Sequence, residues 1–225
     1  MFGVLNEIVK LLFPPKCIFC RRILGAGVPI EICNDCHKEV PFLDGPVIRT
    51  ENPSRGECDS IVGVCKYTGI IKDSLIRYKF SDKPGYYRAF AAILHDRIKK
   101  MTDYCRFDII VSVPLHKHRE RSRGYNQSYL IAKELGRKLK LPVNQKLLCR
   151  IRDTGSQSLL GKKERSVNVT GAFKVTDASM LEGKTVLLVD DILTTGSTIN
   201  ECSRILKESG AVKVIGAVIA AGRRI

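Results

Sequence analysis

The chain has no apolar run of membrane-spanning length, which excludes a helix crossing a bilayer. Its apolar start carries neither a basic leading segment nor a small-residue cleavage site, so it reads as a chain that is not exported. No internal repeat or low-complexity stretch is present, and solenoid architectures fall away with them. Acidic charge is scarce: 23 Asp and Glu against 38 Lys and Arg leave a formal charge of +15. Such an excess suits nucleic acid or an anionic membrane surface. No recognition-helix, RNP or zinc-finger helix pattern accompanies it, and a solvated basic surface is the alternative.

What the chain does have begins with cysteine. Nine cysteines cannot all pair, and four fall in Cys17-x-x-Cys20 and Cys33-x-x-Cys36, twelve residues apart. Each tight knuckle points two sulfurs one way, so the pairs can deliver four thiolates to one tetrahedral ion in a reducing compartment. Structural Zn²⁺ is the expectation, with a rubredoxin-like iron or free thiols as alternatives. His37 reads as an exposed neighbour, and Cys58 and Cys65 as buried free cysteines. Ahead of the knuckles, residues 2 to 13 predict a short amphipathic helix with Phe2, Leu5, Val9 and Leu12 on one face, ended by Pro14-Pro15. It is expected to dock on the protein's own core, membrane-surface binding being the alternative.

Beyond residue 58 the pattern becomes α/β. Ile61 to Cys65 reads as a strand with a hairpin partner near Leu75 to Phe80, and Tyr86 to Ile98 as a helix burying Phe90, Ile93, Leu94 and Ile98. Asp108 to Val113 predicts a strand, followed by a basic loop and a helix burying Ile131, Leu135 and Leu139. A further strand is expected near Lys146 to Arg150, and a closing strand over Val212 to Ala220. The stretch 151–168 has few apolar anchors and is expected to be mobile. One core of this size plus a small appendage fits 225 residues. The expected domains are 1–58 and 59–225.

The most informative segment is Val186-Leu-Leu-Val189-Asp190-Asp191-Ile-Leu-Thr194-Thr195-Gly196-Ser197-Thr198. Four apolar residues predict a buried parallel strand that ends in two adjacent carboxylates. A small-residue turn follows, then a helical pattern of Ile199, Cys202, Ile205 and Leu206 stopped by Gly210. An N-capped helix explains the small residues but not two like charges side by side, which need a ligand, metal or basic partner. The segment lacks both G-x-G-x-x-G and the P-loop lysine. It reads instead as a phosphorylated-sugar cradle: N–H groups of Thr194 to Thr198 for a phosphate, Asp190 and Asp191 for a ribose diol. Lys117, Arg119, Arg121 and Arg123, in the loop after Val113, lie where a pyrophosphate would sit. Arg152, Gln157, Lys162, Lys163, Arg165 and Asn168 belong to a segment that can close as a lid. Arg165 is grouped with Asp190 and Asp191 as the candidate catalytic set.

The order strand, acid pair, Thr-Thr-Gly turn and helix resembles the phosphoribosyl pyrophosphate (PRPP) motif of type I phosphoribosyltransferases. Over nearly the whole chain, Pro14-Pro-Lys-Cys17-x-x-Cys20, Cys33-x-x-Cys36, Val113-Pro-Leu, Arg123-Gly-Tyr-Asn-Gln127, Gln157, Arg165-x-x-Asn168-Val-x-Gly171-Ala-Phe173 and Val189-Asp-Asp-x-x-Thr-Thr-Gly196 are similar to the ComF (ComFC-type) family. That resemblance implies a doubly wound, mostly parallel α/β sheet of the type I phosphoribosyltransferase kind behind a small zinc-ribbon-like domain. It implies PRPP and Mg²⁺ at the acid pair, and Mg²⁺-dependent phosphoribosyl transfer to an unidentified acceptor. It also implies a cytoplasmic role in DNA uptake during natural transformation, at the inner face of the membrane, with single-stranded DNA and other competence proteins as partners. A non-catalytic PRPP or nucleotide sensor and a single-stranded-DNA-binding accessory are the competing readings. Thr194 stands where purine-salvage enzymes carry a further Asp, which argues against hypoxanthine or guanine salvage. A glutaminase domain and its N-terminal cysteine are absent, which argues against a complete glutamine amidophosphoribosyltransferase.

Overall fold

The computed structural model describes residues 14–25, 28, 30–45, 47–48, 58–80, 83–100, 106–153 and 169–222. The helix expected over residues 2 to 13 lies outside them. Four parallel strands carry the structure: β2 (Ser60–Lys66), β3 (Ile109–Ser112), β6 (Thr185–Leu193) and β7 (Lys213–Ala221). With the short β1 (Val47–Ile48) antiparallel at one edge, the sheet order is β1-β2-β7-β6-β3. A two-stranded antiparallel ribbon, β4 (Leu148–Arg150) and β5 (Phe173–Val175), stands apart from it. The strand expected near Lys146 to Arg150 therefore exists, but outside the main sheet.

Both faces of the sheet are covered, which is why β6 and β7 are nearly continuous apolar runs. Alternation sorts their side chains. Leu187, Val189, Ile215, Ala217 and Ile219 join one core with helices α3 (Tyr87–Lys99) and α5 (Gln127–Leu139). Val186, Leu188, Val214 and Val218 join the other with α6 (Ser197–Glu208) and the β4–β5 ribbon. Helix α3 buries Phe90, Ile93, Leu94 and Ile98 as the periodicity predicts. Helix α5 starts at Asn126, whose side chain accepts from Tyr129 N at 3.2 Å, a side-chain N-cap.

The expected hairpin after β2 is absent. Residues Gly69–Phe80 form helix α2, not the hairpin partner of β2. Its buried residues, Ile71, Ser74, Leu75 and Tyr78, recur at helical spacing, and the Tyr78 ring packs against Phe90 at 5.4 Å in a tilted arrangement. Strand β2 pairs with β7 in parallel instead.

The cysteine knuckles share the first core through Cys17, Ile18, Phe19 and Leu24, and the second knuckle runs into the short helix α1 (Asn34–Glu39). Arg77 of α2 fastens the first, donating from Nη2 to the carbonyls of Ile18 at 3.0 Å and Phe19 at 3.1 Å. Cys58 and Cys65 are buried within the sheet, where Cys58 Sγ accepts from Gly216 N at 3.2 Å. Among the described residues, no helix is long and apolar enough to cross a membrane.

Strand lengths create the crevice. Strand β3 accompanies β6 only from Val186 to Val189, while β7 runs beside it as far as Leu193. Val113 N makes one last bond to Val189 O at 2.9 Å, and Pro114, lacking an N–H, turns the chain away. From Asp190 onward one edge of β6 faces an opening. The helix after β3 lies on one face and the helix after β6 on the other, so the opening is the switch point where ligands of open α/β sheets bind.

Candidate functional site

Asp190 and Asp191 are consecutive on β6, line one cavity, and each carboxylate finds its own partner. Strand β6 continues through them to Leu193, further than the sequence predicts. Asp190 Oδ1 accepts from Ser128 Oγ and from Asp191 N, each at 2.9 Å. Asp191, buried, meets Lys79 Nζ of α2 at 2.9 Å. Burial, then the neighbouring Asp191 charge, push the Asp190 carboxyl up to about 7, against Lys79 and the Ser128 hydrogen bond.

The turn after β6 is closed by Gly196, whose φ of +79° is the left-handed conformation that a side chain resists. Gly196 caps α6 without a side-chain bond, and Thr195 Oγ1 and Ser197 Oγ lie 2.9 Å apart beside it. The first N–H groups of α6, with the positive end of the helix, can therefore receive an anion. Acid pair, Thr194, Thr195, Gly196, Ser197 and Thr198 all line one cavity of about 420 Å³, the size of a small phosphorylated ligand.

The basic segment is not a loop. Lys117–Arg123 form a seven-residue helix, α4, with none of its residues buried. Arg119 and Arg123 line the cavity; Lys117 and Arg121 are exposed and do not. Burial lowers the Arg123 guanidinium, which lies 5.2 Å over the Phe80 ring. Arg119 lies 3.9 Å from Asp153, and His116 lies 3.4 Å from the same carboxylate. Of the expected lid, Arg152 is exposed and donates to Thr170 O at 3.0 Å. Gln157, Lys162, Lys163, Arg165 and Asn168 lie outside the described residues.

Cavity residues that the sequence does not announce include Tyr67, Ile76, Lys79, Phe80, Ser128 and Arg150. Arg150 is buried against Phe173 at 5.4 Å, and burial lowers its guanidinium. Ser128 was within reach, since it directly follows the Arg123-Gly-Tyr-Asn-Gln127 run.

The four knuckle sulfurs converge as the spacing predicts, all within 4.8 Å of one another. Sulfurs around one tetrahedral Zn²⁺ stand about 3.8 Å apart; Cys20 and Cys33 are at 3.7 Å. Against burial, which raises it, backbone hydrogen bonds led by Cys33 N bring the Cys17 thiol down to about 7. Burial and the three neighbouring thiols push the Cys36 thiol up instead, so the convergence of the four sulfurs, not their titration, carries the metal reading. The arrangement is that of a closed structural zinc site. His37 is exposed and packs on Phe42 at 5.4 Å, outside that set.

Fold and site together define a phosphoribosyltransferase-type α/β domain joined to a zinc ribbon. The sequence model described as "Phosphoribosyl transferase domain" matches residues 126–224, and that described as "Double zinc ribbon domain" matches residues 8–48. The chain is 31% identical to the DNA utilization protein YhgH of Salmonella typhimurium, over 91% of this chain and 96% of that protein. It is 29% identical to competence protein F of Haemophilus influenzae, over 88% and 93%, and 29% identical to competence protein ComFC of Bacillus subtilis, over 86% and 78%. The chain belongs to the ComF family.

Proposed function

We propose that this chain binds PRPP with Mg²⁺ in the Asp190–Asp191 cavity and acts in the handling of incoming DNA. One observation carries the sugar reading: two carboxylates at the open edge of β6 face the same cavity as the Gly196 turn and the N-terminus of α6. The turn takes the 5′-phosphate through N–H groups, and the carboxylates take the ribose hydroxyls. Arg119 and Arg123 supply the cations for the pyrophosphate, while Lys117 and Arg121 stand outside the cavity on the outer face of α4. Carboxylate oxygens are the donors that Mg²⁺ favours, and the ion supplies further charge neutralisation at the pyrophosphate. Arg165, Gln157, Lys162, Lys163 and Asn168, outside the described residues, are the further polar groups that this reading assigns to the ligand.

The relatives named for competence and DNA utilization support the DNA role. The +15 charge supports single-stranded DNA as a direct ligand and an anionic membrane face as a place of work. Transfer to an acceptor follows the electrostatic logic of a departing pyrophosphate, in which positioning and charge supply most of the rate.

Calorimetry with PRPP and Mg²⁺ tests the binding. The Asp190→Ala/Asp191→Ala protein should keep its fold and lose PRPP; unchanged affinity overturns the assignment. Mg²⁺-dependent pyrophosphate release, screened against bases, amines and nucleic acid, tests turnover, and its absence with PRPP bound favours the sensor.

A further inference from the structure

Two large apolar side chains sit at the cavity rim without an evident structural purpose. Ile76 and Phe80 lie one turn apart on α2 and both line the cavity, yet Ile76 is 40% and Phe80 73% exposed. A lone exposed Phe is ordinary on a protein surface. This one differs in its company. The Arg123 guanidinium backs the ring at 5.2 Å, and Arg119 and Arg123 line the same cavity. An arginine behind a ring fixes its orientation and leaves the opposite face to a second flat group. A flat apolar face beside cations calls for a ligand that is planar and anionic at once.

We infer that the open face of Phe80 stacks one unpaired base of a single nucleic-acid strand, with Arg119 and Arg123 receiving the adjoining phosphates. Aromatic platforms beside a cationic surface are how single strands are held without sequence preference. A duplex cannot use such a platform, because its base faces are already stacked on one another. The high exposure of Phe80 favours a strand, which can run on past the ring, over a free nucleotide enclosed in the cavity. The strand's charge complements the chain's +15. The inference shares its location with the PRPP reading but not its test, since PRPP affinity is measured separately on the same variant.

The chain contains no tryptophan, so Phe80→Trp installs a sole tryptophan reporter at the platform, excited selectively over the seven tyrosines. A twelve-nucleotide oligothymidylate should quench the reporter's emission at saturation, while an abasic strand of equal length should bind more weakly and leave the emission unchanged. Phe80→Ala should reduce oligothymidylate affinity on the order of tenfold, to that of the abasic strand. Equal affinity of wild type for the two strands overturns the stacking. Quenching by thymidine monophosphate at the same concentration per base overturns the strand in favour of a free nucleotide. Quenching by phosphatidylglycerol vesicles and not by the oligonucleotide overturns it in favour of a membrane surface. PRPP calorimetry on Phe80→Trp separates the two readings, because either result can stand while the other fails.

Discussion

Lys79 Nζ lies 2.9 Å from Asp191 Oδ2, so a cation from helix α2 neutralises one member of the acid pair. Two carboxylates on consecutive residues of a strand repel, and this ion pair explains how the fold tolerates them before any ligand arrives. Because Lys79 keeps about a quarter of its side chain exposed, the pair is only partly desolvated.

Removing that cation should therefore cost less than breaking a fully buried pair. Lys79→Met is expected to destabilise the protein by roughly 2 kcal/mol, below the 3–5 kcal/mol typical of full burial. That corresponds to a melting temperature lower by about 4–8 °C for a chain of this size. Adding Asp191→Asn to Lys79→Met should recover much of the loss, because no buried charge then lacks a partner. Thermal melts of the single and double variants check this, and a double variant no better than the single rules out the ion pair as the cause.

The raised Asp190 carboxyl makes a prediction of definite sign. Burial and the Asp191 charge lift it from 3.8 to about 7, so the folded chain holds this proton more tightly than the unfolded chain. Its favourable contribution is complete below the unfolded value and is lost as pH rises through the folded one. Asp190→Asn cannot ionise and still accepts from Ser128. It should melt close to wild type at pH 4 and above wild type at pH 8. A melting difference that does not change between those two values would falsify the assignment of the shift to Asp190.

Gly196 should be intolerant of any side chain. Its φ of +79° costs an L-residue about 1–2 kcal/mol. Relaxation of that strain would also turn the first N–H groups of α6 away from the cavity. Gly196→Val is expected to weaken PRPP binding at least about tenfold, more than its loss of stability explains. Calorimetry beside a denaturation curve separates the two effects.

What was legible in the sequence was local, and what was missed came from elsewhere in the chain. The acid pair, the Gly196 turn and the cysteine knuckles each occupy a few consecutive residues, so their spacing carries their chemistry. Helix α2 hid because Ser74 occupies one of its four buried positions, its hydroxyl satisfied by Ile71 O at 2.8 Å. A polar residue there breaks the apolar period, and Lys79 and Phe80 were lost with the helix. Helix α4 hid for the opposite reason: it buries nothing, so no apolar period exists to find. Arg150 belongs to a ribbon outside the main sheet, where no sequence pattern brings it near residue 190.

The knuckles should hold one metal. Elemental analysis of protein purified without added metal is expected to find about one equivalent of zinc, as a closed four-thiolate site requires. Cys17→Ser should lower stability as well as metal content, because Cys17, Ile18 and Phe19 belong to the shared core and Arg77 is fastened to this turn. Metal-free protein with an unchanged melting temperature would show that packing alone holds the ribbon.

The four cations of α4 should separate into two pairs with different duties. Arg119 and Arg123 line the cavity, whereas Lys117 and Arg121 are exposed outside it. Arg119→Ala/Arg123→Ala should weaken PRPP and single-stranded DNA together. Lys117→Ala/Arg121→Ala should spare PRPP while weakening DNA. If both of those side chains contact strand phosphates, the slope of log affinity against log salt should become shallower by about 1.4, since each single-strand contact contributes about 0.7. Salt titrations of both variants with one oligothymidylate decide it. An unchanged slope in Lys117→Ala/Arg121→Ala would move the strand off the outer face of α4 and leave those two charges to solvent.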